Sequence, residues 1–431
     1  MKRTLTLLVV ACAITCGCGS SLAYRKDVIK DVTDGKYAAA ASKIELNKNK
    51  MYKDRDSLLY YLDLGLVQHE GGKAVDSDIN FAAAQDRIDE LFTVSVTKTI
   101  GTVVQSELDS SYKGQEYERS LTYFYRAMNF LDRKDLQGAL VEARKAVFYL
   151  DNLRRNKAKG YNDDPFVQYF ASLLFESGGN LSSARISRTN AVNAYGKYGF
   201  DAPNFTVPAN ANQMGEIIFL HYNGHIPLLT SRSIQVAWND ALISINGTDE
   251  LANADASVQN AIMAGITGNA VTVAYPVFTD VPYSVRGSIV AVGDIYQNTV
   301  LVHDIGMAAK ASLAERMPGI YARLVARAVI KQILNVQARH AVTKATDNEN
   351  WGMLAGMLMA GFNAAIEKAD TRMWFTLPDQ IRMTRMFVPP GTHTIRFAAT
   401  DDFGTVLDTK NFENVEVKAG GRVYLHHRTG K

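Results

Sequence analysis

The sequence predicts an α+β fold in three parts: an N-terminal α-helical repeat domain, a central α/β segment with a long helix, and a C-terminal small antiparallel β-sandwich or sheet. Three observations predict it. From Tyr24 to about Tyr198 apolar residues recur at helical spacing, Pro165 is the one proline, and one turn pattern returns four times. Beyond Pro203 and Pro208 come valine-rich runs with turn signals, then a long helical stretch. The last sixty residues alternate apolar and polar side chains between Pro389-Pro390-Gly391 and Ala419-Gly420-Gly421.

The chain has 431 residues, 47% hydrophobic and 21% charged, which suits two or three folded domains. Lys and Arg number 47 against 44 Asp and Glu. Removing Lys2 and Arg3 with a leader leaves 45 against 44, so no basic excess calls for nucleic acid as a partner.

The first element is a targeting segment, residues 1–17: Lys2 and Arg3, an uncharged apolar run from Leu5 to Ile14, then small residues to Ala23. The apolar run is too short to span a bilayer. All three cysteines, Cys12, Cys16 and Cys18, lie here, and none follows among the next 413 residues, so a metal or redox pair would lack further ligands. Two cleavage sites fit, one before Cys18 and one after Ala23. Gly17-Cys18-Gly19-Ser20 resembles a bacterial lipoprotein signal, with Thr15 and Cys16 departing from the usual residues. That resemblance implies lipidation of Cys18, whose acyl chains contribute roughly 0.8 kcal/mol per buried methylene. The absence of aspartate after Cys18 implies, by the same analogy, an outer-membrane anchor facing the periplasm.

The second element, 18–200, is built on the turns Asp34-Gly35-Lys36, Gly71-Gly72-Lys73, Lys134-Asp135 and Gly178-Gly179-Asn180, each followed by a helix opening with small residues. Gly65 with Phe81 and Ala84, and Ala127 with Ala139, Ala143 and Ala146, mark close helix crossings. These units resemble the tetratricopeptide repeat. Measured at Ala40, Ser77, Ala139 and Ala184 the spacings are 37, 62 and 45 residues, against about 34 in that repeat. Stacked pairs of this kind make an extended groove, and Tyr123, Tyr125 and Asn129 are expected to line it as the recognition surface.

A linker, 201–214, precedes the central region, 215–370. Glu216 to Tyr222, Asn269 to Tyr275 and Val285 to Val292 are expected strands. A long helix is expected over 305–342, with a kink at Pro318, and an apolar helix over 351–368. Gly352, Gly356 and Ala360 share a face of the latter, as in close packing, with an oligomer contact or membrane insertion as the other readings. Arg316, Arg323, Arg327 and Lys331 fall on one side of the long helix: a solvated face, or a contact for anionic headgroups or an acidic partner. In the C-terminal β module, 371–431, strands are expected at Met373–Thr376, Ile381–Val388, Thr392–Ala399, Val406–Val417 and Val423–His427.

Eight histidines form only two close pairs, His221 with His225 and His426 with His427. His221 lies on an expected strand and His225 after Asn223-Gly224, so their spacing of four is not that of a metal-binding helix, and on a strand the adjacent His426 and His427 point to opposite faces; neither pair is expected to hold a metal. No nucleophile elbow, phosphate loop, dinucleotide glycine pattern or metalloprotease motif occurs; no catalytic residue and no cofactor are assigned.

Together these features resemble a family of functionally uncharacterised bacterial envelope lipoproteins with a tetratricopeptide-like N-terminal domain. The resemblance implies location and architecture. The expected role is a lipid-anchored periplasmic scaffold or adaptor, not an enzyme, that binds other envelope proteins through its repeats. The rival is an envelope enzyme or enzyme activator acting through 216–342, and a homo-oligomer is open.

Overall fold

The four turns marked by the repeated small-residue motif each close a helical hairpin. The computed structural model describes residues 17–94, 110–157, 160–237, 240–241, 270–346 and 368–431. The signal segment before residue 17 and the apolar helix expected over 351–368, Lys368 apart, lie outside the described residues. Helices α1 (Gly17–Thr33) and α2 (Tyr37–Leu46), α3 (Ser57–Glu70) and α4 (Ala74–Val94), α5 (Glu116–Asp132) and α6 (Leu136–Asn156), and α7 (Pro165–Ser177) and α8 (Leu181–Lys197) pair in sequence.

All four hairpin turns use one backbone device. Gly35, Gly72, Lys134 and Gly179 adopt φ between 60° and 75°. The next amide in each turn reaches back five residues: Lys36 to Asp31 O at 2.7 Å, and Lys73 to Gln68 O, Asp135 to Phe130 O and Asn180 to Phe175 O, each at 2.8 Å. This left-handed cap satisfies carbonyls that a helix end would leave bare. Side chains then cap the following helices. Asp135 accepts from the Gly138 amide and Asn180 from the Ser183 amide, while Asp164 accepts from Val167 ahead of Pro165 at the first turn of α7.

The small positions work as expected. Ala40, Ser77, Ala139 and Ala184 are buried. A Cβ added at Gly65 would lie 3.2 Å from the Phe81 ring, and the Ser77 hydroxyl donates to Gly65 O at 2.6 Å. Helices α3, α5 and α7 form an inner row, and in α7 every residue from Pro165 to Phe175 is buried. Helices α4, α6 and α8 lie outside them.

The inner row rests on a four-stranded sheet. The strands are β1 (Gly215–Asn223), β2 (Leu228–Ala237), β3 (Ala270–Thr279), β4 (Gly287–Val292), β5 (Ile295–Asn298), β6 (Val300–Asp304), β7 (Gln380–Val388), β8 (Gly391–Thr400), β9 (Val406–Val417) and β10 (Arg422–Thr429). One sheet has the order β10-β1-β7-β6, a second β5-β4-β8-β9, and among the described residues β2 and β3 form a two-stranded pair. Strand β1 is buried along all nine residues, because Ile218, Leu220 and Tyr222 face the helices while Ile217 and Phe219 face the second sheet. Val290, Ile395 and Phe397 complete that inter-sheet core.

The expected mixed α+β class is present. Three details of the expected layout are corrected. The boundary at 370/371 does not separate two β units, because each four-stranded sheet draws strands from both sides of it. The sheet is not purely antiparallel, since β1 and β10 run parallel. Residues Met373 to Thr376 are not a strand: they form an irregular strap, with a turn at Phe375 and Thr376, buried against α3 and α5. The long helix α9 (Ile305–Thr346) continues through Pro318. Among the described residues no helix is long and apolar enough to cross a membrane.

Candidate functional site

The inner face of the hairpins is the expected recognition groove, and the chain fills it with its own residues. Trp374, fully buried, lies 5.8 Å from the rings of both Phe81 and Tyr125. Its amide donates to Glu118 Oε1 at 2.8 Å, and the Thr376 amide and hydroxyl donate to Asp63 Oδ1 at 3.3 and 2.9 Å. Two carboxylates thus hold the backbone of residues 374–376 by its amides. Burial pushes the Asp63 carboxyl up to about 8, and also raises Glu118.

Tyr125 and Asn129 therefore offer no surface to a partner. Tyr125 packs among Phe81, Phe124, Tyr222 and Trp374. Asn129 donates to Ser77 Oγ and accepts from His69 Nδ1, both at 2.8 Å. Tyr123 is half-buried against Tyr149. The expectation that Tyr125 and Asn129 recognise a second protein is corrected: an aromatic helix face facing the same chain has the pattern of one facing a partner.

Where the hairpins meet the first sheet, His69, Asp132 and His426 bring ligand atoms within 4.8 Å of one another. His426 Nε2 lies 3.2 Å from Asp132 Oδ2, and His69 Nδ1 lies 3.8 Å from the same oxygen. Burial, with His426 adding to it, pushes His69 down to about 3, so its ring is neutral. Chemically, two imidazoles and a carboxylate suit a divalent metal. Their geometry does not: the two rings stack with centroids 4.3 Å apart and 16° between planes. In-plane lone pairs on parallel rings cannot both meet one ion at the roughly 2.0 Å a histidine-metal bond needs. As placed, the group is a hydrogen-bonded clamp. Tyr222 OH, 3.3 Å from His69 Nε2, carries it into β1. Sequence reasoning missed this trio because its members are scattered along the chain, though alternation correctly sends His426 and His427 to opposite faces. His427 meets Asp408 on β9.

A cavity of about 420 Å³ opens between the α7–α8 hairpin, β6 and the start of α9. Tyr161, Tyr195, Tyr198, Phe200, His303 and Met307 are among its walls. His303 is buried, its Nε2 has no hydrogen-bond partner among the described residues, and Asp164 Oδ2 stands 3.7 Å away.

The basic stripe of the long helix divides. Arg316 and Arg323 line a groove of about 530 Å³ with Lys113 and Arg372. Arg327, expected on the same exposed side, is buried, so the stripe does not run on as one solvated face. The side chain of Lys331 lies outside the described residues. Cys18 is the second residue of α1.

The outer helices show what the inner row hides. Ile79 on α4, Val141 and Phe148 on α6, and Leu181 and Ile186 on α8 are exposed, Phe148 by 69% and Leu181 by 71%. Compared with protein-family models, curated proteins and solved structures, the chain matches none.

Proposed function

We propose that this chain is a lipid-anchored scaffold or adaptor of the bacterial cell envelope, acylated at Cys18 and facing the periplasm from the outer membrane. Its helical hairpins are an irregular tetratricopeptide-like array, and it binds other envelope proteins without catalysing a reaction. The observation that supports this best is the distribution of apolar side chains. The groove side is taken by the strap at 374–376, while α4, α6 and α8 leave large apolar residues in water. Apolar side chains repeated on successive outer helices favour a partner that buries them. The recognition surface is therefore assigned to these helices.

The test is crosslinking in intact cells, comparing the wild-type chain with Phe148→Glu/Ile186→Glu. A captured envelope protein that disappears in the double variant, with an unchanged melting temperature, supports the reading; capture of no stable partner by the wild type sinks it. Cys18→Ala tests the anchor separately: the protein should lose the mass of its acyl chains and be washed from the membrane fraction by high salt, which leaves an acylated chain in place.

One observation favours the rival reading, an activity in the region 216–342: the cavity beside His303. Ala308→Trp would fill it. The scaffold reading requires that this variant keep its partner.

A further inference from the structure

Two features that stand far apart in the sequence, Cys18 and the arginines of α9, meet at one end of the molecule. Ser21, Tyr24 and Arg25 of α1 share a small cavity with Arg372. Arg25 Nη1 donates to the Thr371 carbonyl at 2.9 Å. At about 1.5 Å rise per residue, Cys18 stands roughly 5 Å along the helix axis beyond Ser21. Arg372 also forms part of the wall of the groove lined by Lys113, Arg316, Gly319 and Arg323. The end of α1 that carries Cys18 and the basic groove are thus neighbours.

The groove is shaped and charged for an anion. Arg323 runs back along its helix so that Nη1 would lie 3.4 Å from a Cβ at Gly319, and the missing side chain there keeps that part of the wall low. Lys113, Arg316, Arg323 and Arg372 line it together with two carboxylates, Glu315 and Asp370, and Arg372 is paired with Asp56 as well, at 2.8 Å. Both carboxylates are engaged. Glu315 pairs with Lys157 at 3.2 Å and accepts from the Tyr161 amide at 3.1 Å, while Asp370 pairs with Arg372 at 2.7 Å. Arg316 donates one hydrogen bond among the described residues, from Nε to Ser312 O at 3.1 Å, which leaves its terminal nitrogens for another acceptor. A guanidinium fork matches the paired oxygens of a phosphate.

We infer that this groove takes the phosphate of an anionic phospholipid headgroup in the membrane that holds the acylated Cys18. The inference rests on the lipid-anchor reading, because the position of the anchor is what selects a lipid over a soluble phosphate. It gives the molecule a defined orientation: the groove and the start of α1 face the bilayer.

The experiment uses the whole chain with Cys18→Ala, which has no acyl group, and vesicles as the probe. It should cosediment with vesicles containing phosphatidylglycerol and not with vesicles of phosphatidylcholine alone. Arg316→Gln/Arg323→Gln should weaken that binding about thirtyfold, about fivefold for each residue lost near an anionic surface. Lys410→Gln/Lys418→Gln, the same change in net charge at exposed positions of β9 and just after it, should leave it intact. If the arginine pair does not fold, Lys113→Gln, in the loop before α5, should show a fivefold loss. Equal weakening by both pairs, no weakening by either, or no binding to phosphatidylglycerol overturns the assignment. Displacement by inorganic phosphate overturns the lipid in favour of a soluble anion. Because the chain on the vesicles carries no acyl group, this result stands or falls apart from the acylation of Cys18, which the mass of the membrane-bound wild type decides.

Discussion

Glu70 and Arg428 form an ion pair at 2.8 Å with both side chains shut off from water, tying the end of α3 to β10. Arg428 Nη2 also lies 3.2 Å from His225 Nδ1, and His225 Nε2 lies 2.8 Å from Thr33 Oγ1 at the end of α1. The pair is incompletely satisfied, since Glu70 Oε2 and Arg428 Nε have no hydrogen-bond partner among the described residues. Arg428→Met should therefore cost about 3–5 kcal/mol, because it strands a buried carboxylate. Glu70→Leu/Arg428→Met should recover most of that loss, because no charge is left behind. Urea unfolding of the two single variants and the double variant measures both numbers; a double variant as unstable as the worse single one would refute the account.

Asp63 supplies a pH dependence whose sign is fixed. Burial pushes its carboxyl up to about 8, against the opposing pull of hydrogen bonds from Thr376 and Tyr52. An unfolded aspartate titrates near 3.9. Between about pH 4 and 8 the folded chain keeps a proton that the unfolded chain has released. The contribution of Asp63 is complete below that window and is lost as pH rises through it. Asparagine mimics the protonated acid: its carbonyl accepts from Thr376 and its amide donates to Tyr52, whose hydroxyl lies 3.2 Å from Tyr24 OH. The melting temperature of Asp63→Asn relative to wild type should be constant below pH 4 and rise steadily from pH 5 to pH 8. A flat difference across the window would mean that Asp63 is ionised in the folded chain.

The third hairpin turn carries a residue that the other three avoid. Lys134 sits at φ 60°, where Gly35, Gly72 and Gly179 stand in the equivalent turns. A side chain in this region costs about 1–2 kcal/mol, and glycine returns part of that against its own entropy in the unfolded chain. Lys134→Gly should raise stability by about 0.5–1 kcal/mol, and Gly72→Ala should lower it by about 1–2 kcal/mol. Thermal unfolding of the two variants gives opposite shifts.

What the sequence revealed and what it concealed divide along the range of the interactions. The hairpin turns were legible because a left-handed residue and a hydrogen bond reaching five residues back are local, and leave glycine and small residues at fixed offsets. The sheets were not: β1 pairs with β10 from the far end of the chain, Ile217 beside Val423, and alternation in each strand is equally consistent with any partner. The stripe on α9 misled at Arg327 because helical spacing gives a face but not what covers it. His69, Asp132 and His426 carry no shared motif, and only the docking of α3 and α5 onto β10 brings them together. Tyr125 and Asn129 were correctly placed on the inner face of the helices; the strap that fills that face comes from residues some 250 positions later.

That strap is the last prediction. Trp374 is the largest fully buried side chain of the protein among the described residues, and it stands where α3, α4 and α5 converge. Glu118 and Asp63 accept its amide and that of Thr376, so the indole is held by both packing and backbone hydrogen bonds. Trp374→Ala removes the packing and the indole hydrogen bond to Thr376 Oγ1 but leaves the backbone bonds, and should cost about 3–5 kcal/mol. Amide exchange should quicken first in residues 372–377 and in the facing turns of α3 and α5, since local opening frees the strap before the hairpins unfold. Thr376→Val removes a hydroxyl donor from Asp63 and the acceptor of the Trp374 indole but leaves the backbone bonds, so it should cost less, about 1–3 kcal/mol. If Trp374→Ala is no worse than Thr376→Val, the strap is a loosely held cover over the groove, and the inner face around Tyr125 becomes available again as a surface for a second protein.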